Sequence, residues 1–569
     1  MDKAEISRVL EEIGTLLELK GENPFKVRAY YNVANIVGGL AEDIGALIAE
    51  NRLTEIRGIG KNLADHITEL HRTGKIGEYE KMYAAIPGGV WEMLSISGLG
   101  PKKVKVLWEK LKITGIRELR EACESGKVAR LEGFGKKTAQ NILAGIAQYE
   151  KHSGQFLWAA ASAVAQVIFP VIEKHPKVFQ AEVAGSFRRR KEIVRDLDFL
   201  AATDDPAGVM KAFVTLPQVE RVLAEGETKA SVVLKSGMQV DLRCVKKQEF
   251  PFALHYFTGS KEHNTHMRML AKDRGWKLNE YGLFDGEKLL ACKDESALFS
   301  RLGMQYIPPE LREERGEIEA ALQKALPDLI TENEIRGVFH CHSTWSDGRA
   351  TLAQMAMGAK ELGFEYLGIA DHSQVAAYAG GLDTAKIKKQ RKEIEALNKK
   401  IPGLHIFQGL EADILPDGSV DMGDSILGEL DYVVASVHSK FKMSEKEMTA
   451  RIVKAVKNKR VTMLGHVTGR LLLEREGYPV HLETVIQACA DYGVAIEINA
   501  NPLRLDLDWR FCPMAKEKGV RLIINPDAHS VEGLKDVRYG VAIARKGWLT
   551  AKDIVNTKNL KEIKAWLKA

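Results

Sequence analysis

Seven short apolar runs follow one another after Glu334: GVFHCH, EYLGIADH, LHIFQGLE, DYVVASVH, VTMLGH, VAIEIN and RLIINPDAH, and helical segments separate most of them. Such runs read as strands. Strands alternating with helices predict a parallel sheet, and seven such units predict a barrel rather than an open sheet. Six of the runs end in His, Asp or Glu. Loops at the C-terminal ends of barrel strands build active sites, so these side chains should share one mouth. The candidates are His340, His342, Asp347, His372, Glu411, His438, His466, Asp527 and His529. A single His at a strand end is usually a hydrogen-bonded core residue; its recurrence at strand end after strand end points to metal. Mixed His and carboxylate donors suit zinc, manganese or iron better than magnesium. The sixth run, VAIEINAN, ends in asparagines and supplies no obvious ligand. Cys341 alternates away from its His neighbours and should be buried, while His405 and His481 lie off the pattern and read as structural.

The first 150 residues look all-helical, with apolar positions at helical spacing, as in Val9, Ile13, Leu16 and Leu17. Within them one pattern occurs three times: an apolar residue, Gly-x-Gly, then a helix carrying Lys. The copies are IRGIGKNLADHI (56–67), ISGLGPKKVKVL (96–107) and LEGFGKKTAQNI (131–142). Paired glycines allow a tight turn and leave backbone N–H groups uncovered where a helix begins, which favours an anion. Such a turn can hold one phosphate of a nucleic-acid backbone without reading sequence. Gly58, Gly60 and Lys61, Gly98, Gly100 and Lys102, and Gly133, Gly135 and Lys136 are therefore candidate DNA contacts. GFGKKT is not a nucleotide-binding Walker loop, because the glycine five residues before Gly-Lys is absent.

Between about 155 and 305 short strand-like runs appear. Asp196 and Asp198, one residue apart in DLDFLAAT, point to the same face of a strand, and Asp241 lies in the run MQVDLRCV. Three carboxylates on adjacent strands can hold two divalent cations for phosphoryl transfer. Upstream, Gly185 and Ser186 offer a close backbone approach and a hydroxyl, and Arg188 to Arg190 offer charge for a triphosphate. The apolar stretch 156–170 reads as a buried helix too short to span a membrane. The charged stretch 308–323, PPELREERGEIEAALQ, reads as a linker with a helical end.

Composition narrows the class. Six cysteines in 569 residues show no CxxC pair or disulfide framework, and the opening residues hold no apolar run fit for a signal peptide. The expectation is a cytoplasmic protein with reduced thiols and no membrane partner. A net charge of +5 neither requires nor excludes nucleic acid.

The motifs GSFRRR…DLD, VDLR, HYFTGSKEHNTHMR and LNEYGL, together with the glycine hairpins, closely resemble the family X DNA polymerases, the polymerase-beta-like group, from residue 1 to about 310. That resemblance implies that Asp196, Asp198 and Asp241 are the catalytic metal ligands of a palm, served by Mg2+ or Mn2+. It implies that Gly185, Ser186 and Arg189 bind the incoming nucleotide's phosphates, that Tyr256, Phe257 and Gly259 pack on its sugar, and that Asn264 contacts its base. Arg268 would reach the template-side minor groove, and Lys26 a 5′-phosphate downstream of a gap. Relatives with deoxyribose-phosphate lyase activity use a lysine where this chain has His66; imidazole cannot form the Schiff base, so lyase activity should be weak or absent.

Residues 334–569, with HCHS…D, ADHS, GLE, SVH, GH and PDAH, resemble the PHP (polymerase and histidinol phosphatase) family. The resemblance implies a distorted (βα)7 barrel with a trinuclear centre of Zn2+ and/or Mn2+. One metal would sit among His340, His342, Glu411 and Asp527; Glu411 would bridge to a second held by His438 and His466; Asp347, His372 and His529 would hold a third. Metal-activated water would attack a phosphodiester or phosphomonoester.

The expected fold is multidomain, α+β and α/β: a helical DNA-binding domain (1–85), a second helix-hairpin-helix domain (86–150), a nucleotidyltransferase palm (151–250), a thumb (251–310), a linker (311–333) and the barrel (334–569). The expected function is a monomeric DNA-directed DNA polymerase that fills short gaps in base excision repair. Its partners would be gapped or primer-template DNA and deoxynucleoside triphosphates, with a 3′-5′ exonuclease or 3′-end phosphoesterase in the barrel. The alternative is a barrel phosphoesterase acting on a small phosphate ester or on DNA, with the polymerase half only positioning DNA. A non-enzymatic DNA scaffold is disfavoured by two complete sets of metal ligands.

Overall fold

Three turns in the first 153 residues share one backbone arrangement. Ile59, Leu99 and Phe134 each donate their N–H to the carbonyl three residues back, on Ile56, Ile96 and Leu131, at 3.0, 3.0 and 2.9 Å. The glycine before each donor has positive φ (+103° at Gly58, +84° at Gly98, +81° at Gly133), a region costly for any residue with a Cβ. The second glycine of each pair is the N-cap of the helix that follows. The middle residue is buried, which anchors the turn to the helical core.

The computed structural model describes the chain except Asp2, Gly39, Ala41, Ser97 and Ala569 and the side chains of Ala4 and Glu78. The chain divides into two units, Met1–Ser153 and Gly154–Ala569. The first is helical throughout. Its principal helices are α1 (Lys3–Lys20), α2 (Pro24–Gly38), α3 (Lys61–Thr73), α4 (Pro101–Leu111) and α5 (Lys136–His152), which share one apolar core.

The second unit begins with α6 (Trp158–Glu173), which packs on a five-stranded mixed sheet. Its strands are β1 (Val178–Val183), β2 (Asp196–Thr203), β3 (Val219–Glu225), β4 (Lys229–Leu234) and β5 (Gln239–Val245), in the order β1-β2-β5-β4-β3. Only β2 and β5 run parallel. α6 is not the fully buried helix its composition suggests: Val167 and Val171 are 55% and 45% exposed, so its apolar surface exceeds what the sheet covers. Next come α7 (Phe250–Thr258), α8 (Lys261–Asp273) and a small antiparallel sheet of β6 (Trp276–Asn279), β7 (Gly282–Asp285) and β8 (Lys288–Leu289).

The stretch 311–333 is packed rather than a free linker. Leu311, Ile318, Ala321 and Leu329 belong to the same apolar cluster as Phe252, Met267 and Phe299. Two of its charges are buried, each with a partner: Arg312, fully buried, meets Glu295 at 2.6 Å, and Glu317 meets His263 at 2.7 Å.

The last region carries seven parallel strands in chain order: β9 (Gly337–Cys341), β10 (Tyr366–Ile369), β11 (His405–Asp413), β12 (Tyr432–Ser436), β13 (Met463–Leu464), β14 (Ala495–Asn499) and β15 (Leu522–Asn525). Cys341 and Ala528 form a parallel bridge, and the N–H of His342 reaches the Ala528 carbonyl at 2.8 Å, so the ends of β9 and β15 meet and the barrel nearly closes. Phe339, Tyr366, Phe407, Tyr432, Met463 and Ile523 fill the interior. The outer faces pack on surrounding helices, among them α9 (Val537–Lys546). Every strand is buried on both faces, which is why the sequence reads as continuous apolar runs. No helix among the described residues is long and apolar enough to cross a membrane.

Candidate active sites

The register of β2 against β5 sets Asp198 directly beside Asp241, with Asp196 one pleat away on the same face. Gly185, in the turn after β1, has φ +65° and leaves no room for a side chain: a Cβ there would lie 2.1 Å from Oδ2 of Asp198. The turn's backbone therefore lies directly on the carboxylates. Burial, with Asp196 and Asp241 adding to it, pushes Asp198 up to about 7. Burial and Asp241 likewise raise Asp196. Burial would raise Asp241 too, but Lys229, Gln239 and Ser231 hold it below the usual range. Lys229 Nζ lies 2.7 Å from Oδ2 of Asp241, a contact the sequence reading missed. Three crowded carboxylates with a single neighbouring ammonium form a donor set suited to divalent cations.

Arg189 donates Nε to Glu313 at 3.1 Å and Nη1 to the Thr258 carbonyl. Arg188 pairs with Glu295 at 2.7 Å, and Arg190 with Glu310 at 3.1 Å. Gly259, at the end of α7 with φ +70°, faces Arg189: a Cβ would lie 3.1 Å from Nη1. Tyr256 and Phe257 are half-buried, in edge-to-face contact, and the Arg243 guanidinium lies over Phe257. Asn264 is buried and donates Nδ2 to the Tyr256 carbonyl at 2.7 Å, leaving Oδ1 without a partner. Arg268 is exposed, its Nη2 3.2 Å from Thr265 Oγ1.

The barrel brings all nine expected residues to one mouth. Glu411 is the hub. Its oxygens lie 2.9 Å from His372 Nδ1, 3.0 Å from His466 Nε2, 3.2 Å from His438 Nε2 and 3.4 Å from His340 Nε2. Asp527 Oδ1 lies 3.3 Å from His342 Nε2 and 3.7 Å from His340 Nε2. Asp347 lies 3.4 Å from His529 and 3.5 Å from His372. Three groups have ligand atoms close enough to share an ion: His340, His342 and Asp527; His372, Glu411 and His438; and His342, Asp347, His372 and His529. A shift of register between Val338 and Cys341 turns Cys341 into the outer core while both flanking histidines face the mouth. His405 stacks edge-on against Phe407, and His481 caps a helix through Thr484; neither joins the cluster.

The electrostatics ask for cations. Burial would raise Glu411, but His438, His372 and His340 hold it well below the usual carboxylate range. Burial and the neighbouring His529 drive His342 down to about 3, so its ring stays neutral. Burial opposes charge on His372, yet Glu411 and Asp347 lift it to about 10. Nε2 of His340 and both ring nitrogens of His342 are buried without a hydrogen-bond partner. A neutral His342 with both ring nitrogens orphaned, beside ionised carboxylates, fits a cluster of divalent metals.

A ring of further residues, not foreseen from the sequence, orients these ligands. Glu497, in the sixth run, accepts from His340 Nδ1 at 2.7 Å and from the His466 N–H at 2.8 Å. Asp413 takes the Nδ1 side of His438. Asn499 donates to Asp527 at 3.1 Å. Asp371, buried before His372, accepts from the N–H and hydroxyl of Ser343 and from Ser346 and Gln390, fixing the loop that carries Asp347. The available signal was a charged residue inside an otherwise apolar strand, as in AIEIN.

In the first unit the three glycine turns are exposed, and a Cβ at Gly60, Gly100 or Gly135 would meet nothing within 4 Å. Lys61, Lys102 and Lys136 are exposed beside them, as is Lys26 on α2. His66, on α3, lies 2.7 Å from the Tyr30 hydroxyl through Nδ1.

A polymerase-type palm and thumb joined to a PHP barrel define the class of protein. Residues 1–76 match a helix-hairpin-helix domain, 92–148 a SAM-like helix-hairpin-helix tandem, 253–313 the DNA polymerase beta thumb and 339–501 the PHP domain. A Bacillus subtilis protein named DNA polymerase/3′-5′ exonuclease PolX is 39% identical over 572 residues, covering 100% of both chains. A probable phosphatase of Thermoanaerobacter is 28% identical over 241 residues, 40% of this chain and 93% of that one. The chain belongs to the PolX family, the family X DNA polymerases that carry a C-terminal PHP domain.

Proposed function

We propose that this chain fills short gaps in DNA during base excision repair and trims 3′ ends with its barrel. The observation that carries the first activity is Asp198 set beside Asp241 across a parallel register, with the Gly185 turn against them. Asp196, Asp198 and Asp241 would hold two Mg2+ or Mn2+ ions. Those ions would supply activation of the primer 3′-hydroxyl and charge for the departing pyrophosphate. Gly185, Ser186 and Arg189 orient the triphosphate so that its α-phosphorus faces the primer. Tyr256, Phe257 and Gly259 form the floor for the sugar and help to exclude ribose. Asn264 turns to the base and Arg268 to the minor groove. Gly58, Gly60 and Lys61 and their two counterparts hold backbone phosphates, and Lys26 a 5′-phosphate.

For the barrel, the carrying observation is Glu411 in reach of five histidines. His340, His342, Glu411 and Asp527, then His438 and His466, then Asp347, His372 and His529 would hold three ions, of Zn2+ and/or Mn2+. These would supply a nucleophilic water at neutral pH and neutralise the phosphoryl oxygens. Glu497 and Asp413 fix the imidazole tautomers that such ligation needs. The similarity of the barrel to proteins named probable phosphatases favours a second reading, hydrolysis of a small phosphomonoester.

A 5′-labelled primer on one-nucleotide-gapped DNA, with and without deoxynucleotides in Mg2+ or Mn2+, tests both sites. Extension that survives Asp196→Ala with Asp198→Ala removes the palm assignment. Shortening unaffected by His340→Ala with His342→Ala removes that of the barrel.

A further inference from the structure

A lysine of the barrel is buried beneath the polymerase's triphosphate turn. Lys546, the last residue of α9, is fully buried. Its ammonium donates to the Arg189 carbonyl at 3.0 Å and to the Glu310 carbonyl at 3.3 Å, and meets Oε1 of Glu313 at 2.6 Å. That same Oε1 accepts from Arg189 Nε. Lys546 thus grips Arg189 twice, at its backbone and through the carboxylate that orients its guanidinium.

The surroundings are built to hold this arrangement. Arg545 meets Glu310 at 2.8 Å, and Glu310 in turn meets Arg190. Trp158 stacks edge-on against Tyr539 of α9 and carries Arg190 on its face. The Lys546 ammonium also lies over the Trp509 ring. A buried charge with three oxygen partners is costly to leave half-satisfied, so these contacts form together or not at all.

We infer that Lys546 is a positioning residue for nucleotide addition: the barrel completes the polymerase's phosphate site by setting Arg189 through Glu313. Lys546 and Arg189 share one oxygen of Glu313, and Lys191 lies 3.8 Å from the other. Lys546 tempers the hold of Glu313 on Arg189, while Glu313 and the Thr258 carbonyl fix two edges of the guanidinium. Among the described hydrogen bonds Nη2 makes none and is left to a phosphate oxygen. Loss of the ammonium leaves Glu313 competing with the triphosphate for Arg189 and frees the turn's backbone. The inference rests on the reading of Arg189 as a phosphate ligand.

Single-nucleotide insertion by the full chain tests it, with kcat and KM for the deoxynucleotide measured separately on gapped DNA. Lys546→Met keeps the stem's length, and Glu313→Gln keeps the volume and one acceptor oxygen but removes the charge. We expect Lys546→Met to raise KM by about tenfold with a smaller change in kcat. Glu313→Gln should move KM by several-fold, and Lys546→Met should add little to Arg189→Ala. A merely structural role would instead lower kcat, melting temperature and barrel hydrolysis together. An unchanged KM in Lys546→Met, beside a raised KM in Arg189→Ala, overturns the inference; so do fully additive effects. An unchanged KM in Arg189→Ala overturns the reading of Arg189 itself, and the inference with it. Should Lys546→Met not fold, Glu313→Gln decides by the same criterion: a change in KM supports the inference, and none overturns it.

Discussion

Oε1 of Glu497 lies 2.7 Å from Nδ1 of His340, and its other oxygen holds the N–H of His466 at 2.8 Å. One buried carboxylate thereby positions two of the candidate metal ligands. Replacing such an outer partner costs about 10–100-fold in metal affinity or activity. Glu497→Gln should therefore require about tenfold or more additional Mn2+ for 3′-end trimming, while extension stays unchanged. Metal titration of both activities on one labelled primer measures it. Equal metal requirement in variant and parent would show that Glu497 is only part of the core.

Asp198 carries the pH dependence of the palm. Its carboxyl, raised to about 7 by burial and then by Asp196 and Asp241, holds a proton at mildly acid pH. Cation binding needs the ionised form and must expel that proton. Mg2+ affinity should rise with pH between about 6 and 8 and flatten above, with net proton release at the lower end. Calorimetry in two buffers of different ionisation enthalpy reads the proton directly. Affinity independent of pH across that window would contradict the prediction.

Lys61, Lys102 and Lys136 flank three open glycine turns and should act through phosphate neutralisation alone. Each Lys→Ala substitution should weaken DNA binding regardless of sequence and reduce the slope of log affinity against log salt by about one. Fluorescence anisotropy over a salt series checks this. Gly133→Ala is a separate case: φ there is +81°, so strain of about 1–2 kcal/mol is expected even though the space is open. Thermal melting of the chain would register it.

His66 predicts an absence. Its ring, hydrogen-bonded to Tyr30, supplies no amine for a Schiff base. Borohydride treatment with abasic-site DNA should trap no adduct above background. Trapping at the level of a lyase-proficient relative would show that another amine serves.

The barrel was legible because its strands are buried on both faces and carry their ligands at their ends, so seven runs and nine residues could be read in order. The glycine turns were legible because positive φ demands glycine at a fixed spacing. What escaped depended on distance. Glu497 meets a partner 157 residues away in sequence, and Lys546 one 233 away, beyond the reach of any local pattern. The stretch 311–333 misleads for a related reason. Its charge density reads as a linker, but Arg312 is buried against Glu295 and Glu317 is hydrogen-bonded to His263, partners a periodicity cannot see.

The meeting of β9 and β15 has a bearing on how the barrel matures. His340 and His342 sit at one end of the cycle and Asp527 and His529 at the other, so two of the three ligand groups need residues from both. Neither group can exist in a nascent chain until the final strand arrives. Ion capture at these two groups is thereby postponed to the closing moment of assembly, and a fully loaded centre certifies a finished barrel. A ribosome-bound fragment lacking that strand has no such hydrolytic centre to release prematurely on DNA.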